Sequence, residues 1–336
     1  MTKEFKHLHA AHCETGVTTN LLKHQGIHNI SEPMAFGLGA GLLYFHVPFL
    51  QVSGGPAVTF RTMPGAIFKR TCKALEIEVE SKKFKTPREA QIHLDNLLEN
   101  GIPAGCQVGV YNLNYFAVEY RFHFNAHNMI VFDKKGDKYQ ISDPTMEHVT
   151  ELTTEELDAV RFSKGVYAPK GHIYYPVNVT QPSDELFRKA IMKGIKKNVF
   201  YMLSVPGNTI GATGMRYTAN RIEKWRDKLG PRKAGLYLGQ IVRMQEEIGT
   251  GGGGFRYLYA AFLEEASEKT GNDKLAIASD MLTKIGDLWR NSAIVMAGIY
   301  KGRTSEQKDF KHSAELLREI ANKEKEVFQY LAKIKN

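Results

Sequence analysis

The 336-residue chain has only three cysteines, Cys13, Cys72 and Cys106, and they lie far apart. This spacing excludes both a disulfide framework and a paired zinc-binding motif, so any thiol chemistry rests on one cysteine. The chain also lacks a run of about 18 apolar residues and the apolar core of a signal peptide. We therefore expect a cytoplasmic protein that does not cross or bind a membrane.

Acidic residues are outnumbered, with 36 Asp and Glu against 45 Lys and Arg, which leaves a net charge of +9. A basic chain favours acidic partners such as nucleic acid, an anionic membrane surface or an acidic protein. Zinc-finger spacing, an aromatic-rich RNA-binding signature and a long basic tail are all absent from the sequence. Nucleic acid is therefore not the expected partner.

The length and the residue patterns predict two domains and an α+β fold. In the first half, helices alternate with strands, including an apparent hairpin in which the turn KKGDK joins two apolar runs. After about residue 180, apolar residues recur at spacings of three and four, as in amphipathic helices. We therefore predict a catalytic domain with an antiparallel sheet at 1–180 and a mainly α-helical domain at 181–336.

Cys13 is predicted at the N-terminus of a helix, where the helix dipole favours a thiolate. The hairpin places His127 at the start of one strand and Asp143 at the end of its antiparallel neighbour, so the two lie side by side. Cysteine, histidine and aspartate follow each other in this order in papain-like cysteine enzymes. There the thiolate attacks an acyl carbon, the imidazole moves the proton and the carboxylate orients the ring.

Other interpretations of these residues stay open. His123 lies four residues before His127 and faces the same side of an extended strand, so periodicity does not choose the base. His7, His9, His12 and Cys13 carry donor atoms that suit zinc or nickel, which makes a metal site an alternative. A buried, chemically inert Cys13 is a further alternative.

The run GTGGGGFR, residues 249–256, lacks the Lys-Ser/Thr of a phosphate-binding P-loop. Exposed amides at Gly251 and Gly252, with Arg256 beside them, favour a phosphate or carboxylate ligand. The alternative is a close-packed turn that needs positive φ angles.

Two pairs of segments resemble a known family. HCETGVTTNLLKHQGIHNISEPMAFGLGAGLLYF and AHNMIVFDKKGDKYQISDPT resemble the N-terminal domain of the butirosin biosynthesis protein H family. GNTIGATGMRYTANRIEKW and EEIGTGGGGFRYLYAAFLEEAS resemble the helical domain that follows it. The resemblance implies a papain-like, C39-type peptidase fold and an acyltransferase of secondary metabolism without a metal or redox cofactor. Its donor is the phosphopantetheine thioester of an acidic acyl carrier protein, and its acceptor is a small-molecule amine.

The resemblance assigns Cys13 as nucleophile, His127 as general acid/base and Asp143 as its orienting group. C39-type peptidases carry a glutamine shortly before the cysteine, for the oxyanion hole, and this chain has none. We therefore expect His12 or backbone amides to contact the substrate there. A cysteine hydrolase or peptidase of the same fold and a non-catalytic binding module remain alternatives, and a homo-oligomer is an open option.

Basic residues are concentrated in the first predicted helices of the second domain, and an acidic carrier protein is expected to dock on them. They are Arg188, Lys189, Lys193, Lys196, Lys197, Arg216, Arg221, Lys224, Arg226 and Lys228. The alternative is an ordinary solvated helix face.

Overall fold

The computed structural model describes residues 4–52 and 54–334 and confirms the α+β class. Its helices are α1 (Cys13–His24), α2 (Glu32–Leu38), α3 (Ala66–Ala74), α4 (Pro87–Glu99), α5 (Thr154–Arg161), α6 (Asp184–Leu203), α7 (Gly211–Leu229), α8 (Pro231–Val242), α9 (Arg256–Thr270), α10 (Asp273–Tyr300) and α11 (Gln307–Ala332). Its strands are β1 (Leu42–Val52), β2 (Gly55–Arg61), β3 (Glu78–Lys82), β4 (Ala104–Val108), β5 (His127–Lys135), β6 (Lys138–Ser142), β7 (Thr150–Thr153) and β8 (Ile173–Val177).

The chain divides into two compact units. The first contains the residues up to Ala35 together with Pro64–Asp184, and the second contains Phe36–Met63 together with the residues from Glu185 onward. The predicted domain of residues 1–180 is therefore interrupted, because 36–63 belongs to the helical unit. The reason is tertiary: the Leu42 carbonyl accepts a hydrogen bond from Asn198 on α6, and Tyr44 donates one to Thr218 on α7.

The first unit is built on an antiparallel sheet of six strands in the order β3-β8-β4-β5-β6-β7. Helices α4 and α5 contribute Leu94, Leu157 and Val160 to its buried core. The hairpin β5–β6 turns at Gly136, which has a φ of 64°. Ile130 pairs with Ser142, so the same register puts Asp143 diagonally across from His127, within side-chain reach.

The second unit combines the β1–β2 hairpin with helices α6 to α11. Its core contains a fully buried ion pair in which Arg256 Nε lies 2.8 Å from Glu324 Oε1. Trp289 also donates from its ring nitrogen to that carboxylate, at 2.7 Å. Among the helices of the described residues, none combines the length and the hydropathy of a membrane span.

Candidate active site

Cys13 is the first residue of α1 and is 8% exposed. His12 caps the helix, because its Nδ1 accepts a hydrogen bond from the Thr15 amide at 3.3 Å. The amides of Ala11 and His12 donate to the Glu32 carboxylate at 2.9 and 2.8 Å, which fixes the turn before the cysteine. The thiol therefore lies at the positive end of a helix whose first turn is held from both sides.

His127 joins Cys13 to Asp143. Its Nε2 donates to Asp143 Oδ2 at 2.6 Å, and a second hydrogen bond links the ring to the Cys13 thiol. Because Nε2 is engaged by the carboxylate, Nδ1 is the nitrogen that remains for the thiol. Phe116 packs edge-on against the imidazole, with ring centroids 5.4 Å apart. The structure thus brings the three predicted catalytic residues into one buried cluster.

Asp143 is fully buried and accepts hydrogen bonds on both oxygens. Tyr115 donates to Oδ2 at 2.9 Å, beside His127. The Thr145 amide and hydroxyl donate to Oδ1 at 3.1 and 2.8 Å. Four donors therefore hold this carboxylate in one orientation, and Tyr115 and Thr145 are members of the site that sequence patterns did not reveal.

The buried charges determine the protonation of this pair. Burial lowers the pKa of His127, but the charges of Asp143 and Cys13 and the hydrogen bonds to both outweigh burial and raise this pKa to about 10. Burial raises the pKa of Asp143, but the charge of His127 and the hydrogen bonds from His127 and Thr145 outweigh it and lower this pKa below its usual value. A protonated imidazole beside an ionised carboxylate is thus the favoured state at neutral pH.

Asn128 also contacts the cysteine, and Tyr174 contacts Asn128. Asn128 Nδ2 lies 3.9 Å from Cys13 Sγ, and Asn128 Oδ1 accepts from the Tyr174 hydroxyl at 2.7 Å. Burial, reinforced by the nearby charges of Glu14 and Cys13, raises the pKa of Tyr174 far above its usual value, so this hydroxyl stays a donor. Neither residue lies in a sequence pattern that points to the site, because both reach it through the pairing of distant strands.

The competing base lies elsewhere. His123 is exposed and stacks on Tyr111, with ring centroids 4.1 Å apart. His127, and not His123, contacts Asp143 and Cys13. Of these two histidines, only His127 is therefore positioned to act as the base of this cluster.

The N-terminal histidines are dispersed. The ring of His7 hydrogen-bonds to the Ser142 hydroxyl at 2.7 Å and to the Met146 carbonyl at 3.0 Å, while His9 is exposed. Within 4–52 and 54–334, no three His, Cys, Asp or Glu side chains are grouped closely enough to hold a metal ion.

The predicted anion site at the glycine-rich loop is not supported. Arg256 is fully buried, and its guanidinium is engaged by both Glu324 oxygens and by the Gly254 carbonyl. The Gly252 amide donates to Thr250 Oγ1 at 3.0 Å. Gly251 and Gly252 do have positive φ angles, 66° and 86°, which agrees with the alternative of a close-packed turn.

The other two cysteines, Cys72 and Cys106, are buried. Burial raises the pKa of Cys72 to about 12 and also raises that of Cys106, so both stay thiols at neutral pH.

Fold and site together define an α+β protein with a buried cysteine–histidine–aspartate cluster at the start of a helix. Residues 12–144 match the family model described as butirosin biosynthesis protein H, N-terminal, and this match includes Cys13, His127 and Asp143. Residues 155–331, more than half of the chain, match a domain of unknown function (DUF4872). The chain therefore belongs to the butirosin biosynthesis protein H family by its N-terminal domain and to the DUF4872 family by the domain that follows. No curated protein matches it significantly.

Proposed function

We propose that the protein is a cysteine-dependent acyltransferase that moves an acyl or aminoacyl group from a thioester to an amine. One observation carries the proposal: Cys13, at a helix N-terminus, is hydrogen-bonded to His127, which in turn donates to the buried Asp143 at 2.6 Å. These are the roles of nucleophile, proton shuttle and orienting group in covalent acyl transfer. Family membership supports an enzyme of biosynthesis.

The first half-reaction forms an acyl-enzyme. The Cys13 thiolate attacks the carbonyl carbon of the donor thioester, and the carbonyl electron pair moves to oxygen. When the C=O bond re-forms, the bond to the donor sulfur breaks, and the leaving thiolate takes a proton from the His127 imidazolium. Asp143 stabilises the charge on the ring and keeps Nδ1 directed at the sulfur.

The second half-reaction transfers the acyl group to the amine. The amine attacks the Cys13 thioester, and the neutral His127 takes the proton that the nitrogen releases. The Sγ–C bond then breaks and restores the thiolate. Cys13 and His127 are 8% and 6% exposed, so the acyl-enzyme thioester is shielded from bulk solvent, and the acceptor must be bound beside it to react.

The donor is a phosphopantetheine thioester on an acidic acyl carrier protein, in keeping with the basic charge of the chain. On α6, the exposed Lys189, Lys193, Lys196 and Lys197 recur at spacings of three and four and therefore share one face. We place the docking surface there. Neither half-reaction calls for a metal or redox cofactor, and a reducing cytoplasm would keep Cys13 as a thiol.

Deacylation kinetics test the transferase assignment. Wild-type acyl-enzyme is isolated from excess acyl-pantetheine and mixed with buffer or with a panel of amines, including aminoglycosides, and its loss is followed by intact mass. We expect an amine to accelerate the loss and to appear as the amide product. If all amines leave the rate unchanged and the free acid is the product, the protein is a hydrolase.

Charge reversal tests the docking surface. The double variant Lys193→Glu/Lys197→Glu should weaken acylation by an acidic carrier protein at low salt, while acylation by free acyl-pantetheine is unchanged. The matched control, Lys274→Glu/Lys325→Glu, makes the same charge change at exposed positions on α10 and α11. Equal losses in both variants would reflect net charge alone and contradict docking on α6.

A further inference from the structure

Acyl transfer through Cys13 generates negative charge on the carbonyl oxygen of the substrate. Hydrogen-bond donors fixed in place around that oxygen are usually the largest single contribution to such catalysis. The chain has no glutamine before Cys13, and Nδ1 of His12 is engaged by Thr15, whose amide and hydroxyl lie 3.3 and 3.1 Å from it. Another side chain in contact with Cys13 can supply a donor for the oxyanion.

Asn128 presents such a donor. It is 3% exposed, and Nδ2 lies 3.9 Å from Cys13 Sγ. The oxyanion forms on the carbon bonded to that sulfur, so the charged oxygen lies two bonds from Sγ. An amide already in contact with Sγ can therefore approach the oxygen to about 2.7–3.1 Å, the distance of an effective donor.

The orientation of the amide is fixed by two neighbours. The Ala126 carbonyl only accepts hydrogen bonds and lies 3.2 Å from the amide, so the nitrogen must face it. The Tyr174 hydroxyl donates to the amide oxygen at 2.7 Å. With Oδ1 held by Tyr174, the NH2 group of Asn128 is directed at both Ala126 and Cys13.

Tyr174 is itself held in place by the sheet. It pairs with Gly105 across β8 and β4, and a Cβ at Gly105 would lie 2.5 Å from the Tyr174 ring. Phe68 packs against the same tyrosine ring, with centroids 4.7 Å apart. Glycine at 105 thus leaves room for the tyrosine ring that holds Asn128.

We infer that Asn128 is a catalytic residue whose Nδ2 donates a hydrogen bond to the oxyanion formed on attack by Cys13, and that Tyr174 is its positioning residue. The inference rests on the proposed acyl transfer through Cys13 and supplies the donor that this reaction needs. When the carbonyl re-forms, the hydrogen bond weakens and no proton leaves the amide.

Two reactions of the Cys13 thiol distinguish an oxyanion donor from a residue that acts on thiol ionisation or on folding. Acylation by a short acyl-pantetheine passes through an oxyanion, whereas alkylation by iodoacetamide displaces iodide at a CH2 carbon and forms none. Both rates are measured by intact mass for wild type, Asn128→Ala and Tyr174→Phe. The matched control is Tyr175→Phe, at the next residue of β8, which is also buried.

We expect Asn128→Ala to slow acylation by about 10²–10³-fold, as for removal of one oxyanion donor, and to slow alkylation far less. Tyr174→Phe should slow acylation by about 3- to 10-fold, the loss of one ordinary hydrogen bond, and Tyr175→Phe should have no effect. The double variant Asn128→Leu/Tyr174→Phe removes both polar partners together and should show the same acylation defect in a well-folded protein.

Equal losses of acylation and alkylation would overturn the inference, because they would indicate a role in thiol ionisation or folding. Unchanged acylation in Asn128→Ala or in the double variant would also overturn it. If wild type is alkylated but no acyl-pantetheine acylates it, the proposed function fails and this inference fails with it. The wild-type control therefore distinguishes the two failures.

Discussion

Replacement of Asp143 by asparagine should slow acylation of Cys13 strongly while preserving the fold. The carboxylate accepts two hydrogen bonds from Thr145 on Oδ1 and one each from His127 and Tyr115 on Oδ2. An asparagine has a single accepting oxygen and can keep only one of these pairs. If the asparagine oxygen keeps the two hydrogen bonds from Thr145, its NH2 group faces His127 and Tyr115, which are themselves donors.

The size of the effect follows from those lost contacts. Two hydrogen bonds to a charged group are worth about 1.5–3 kcal/mol each, or about 3–6 kcal/mol together. At about 1.4 kcal/mol per factor of ten, the acylation rate should fall by about 10²–10⁴. His127 must also move its proton from Nε2 to Nδ1, where it faces the thiol. Since burial lowers the pKa of His127 and the charge of Asp143 raises it, this pKa should fall below about 10 in the variant.

The assay is single-turnover acylation by an acyl-pantetheine, quenched and followed by intact mass across a range of pH. The matched control is Asp137→Asn, because this aspartate lies in the exposed turn of the same β5–β6 hairpin. Circular dichroism establishes that both variants are folded. An Asp143→Asn rate within about tenfold of wild type, or an equal loss in Asp137→Asn, would show that the Asp143 carboxylate does not orient His127 for acylation.

Three further predictions concern pH and packing. The pKa of His127 is about 10 in the folded chain and 6.5 when unperturbed. The contribution of His127 to stability is therefore complete below about pH 6.5 and is lost as the pH rises through about 10. In urea unfolding, the free energy of unfolding should fall more steeply over this pH range for wild type than for His127→Gln. In Gly16→Ala the new Cβ would lie 2.3 Å from Pro144 Cβ, so unfolding should be easier by about 1–3 kcal/mol in urea, and acylation should slow. Equal stability to wild type would contradict this packing. Glu324→Gln leaves the buried Arg256 charge without its counter-charge and should cost about 3–5 kcal/mol in urea unfolding, whereas Glu326→Gln, at the surface, should cost little.

Local patterns were sufficient for several elements of the fold. The hairpin was predictable because two apolar runs flank a turn containing Gly136, and this also placed His127 near Asp143. The start of α4 carries a local signal of the same kind, because Thr86 caps it, accepting from the Glu89 amide at 3.3 Å. Such signals lie within a few residues of each other along the chain.

Contacts between distant segments were not predictable in this way. Tyr174 reaches Asn128 only because the sheet order places β8 beside β4 and β4 beside β5. The glycine-rich loop looks locally like an anion site, but Glu324, 68 residues after Arg256, occupies the guanidinium. Strand periodicity in β1 does not reveal that Leu42 and Tyr44 form hydrogen bonds to residues on α6 and α7.

The proposed function depends on a covalent acyl-enzyme formed on Cys13. The most direct test is intact-mass spectrometry of wild type and Cys13→Ala after incubation with acyl thioesters of pantetheine and of an acyl carrier protein. The account predicts a mass increase of one acyl group in wild type and none in Cys13→Ala, with Cys72 and Cys106 unmodified in both. An absence of adduct with every donor, or an adduct that persists in Cys13→Ala, would contradict it.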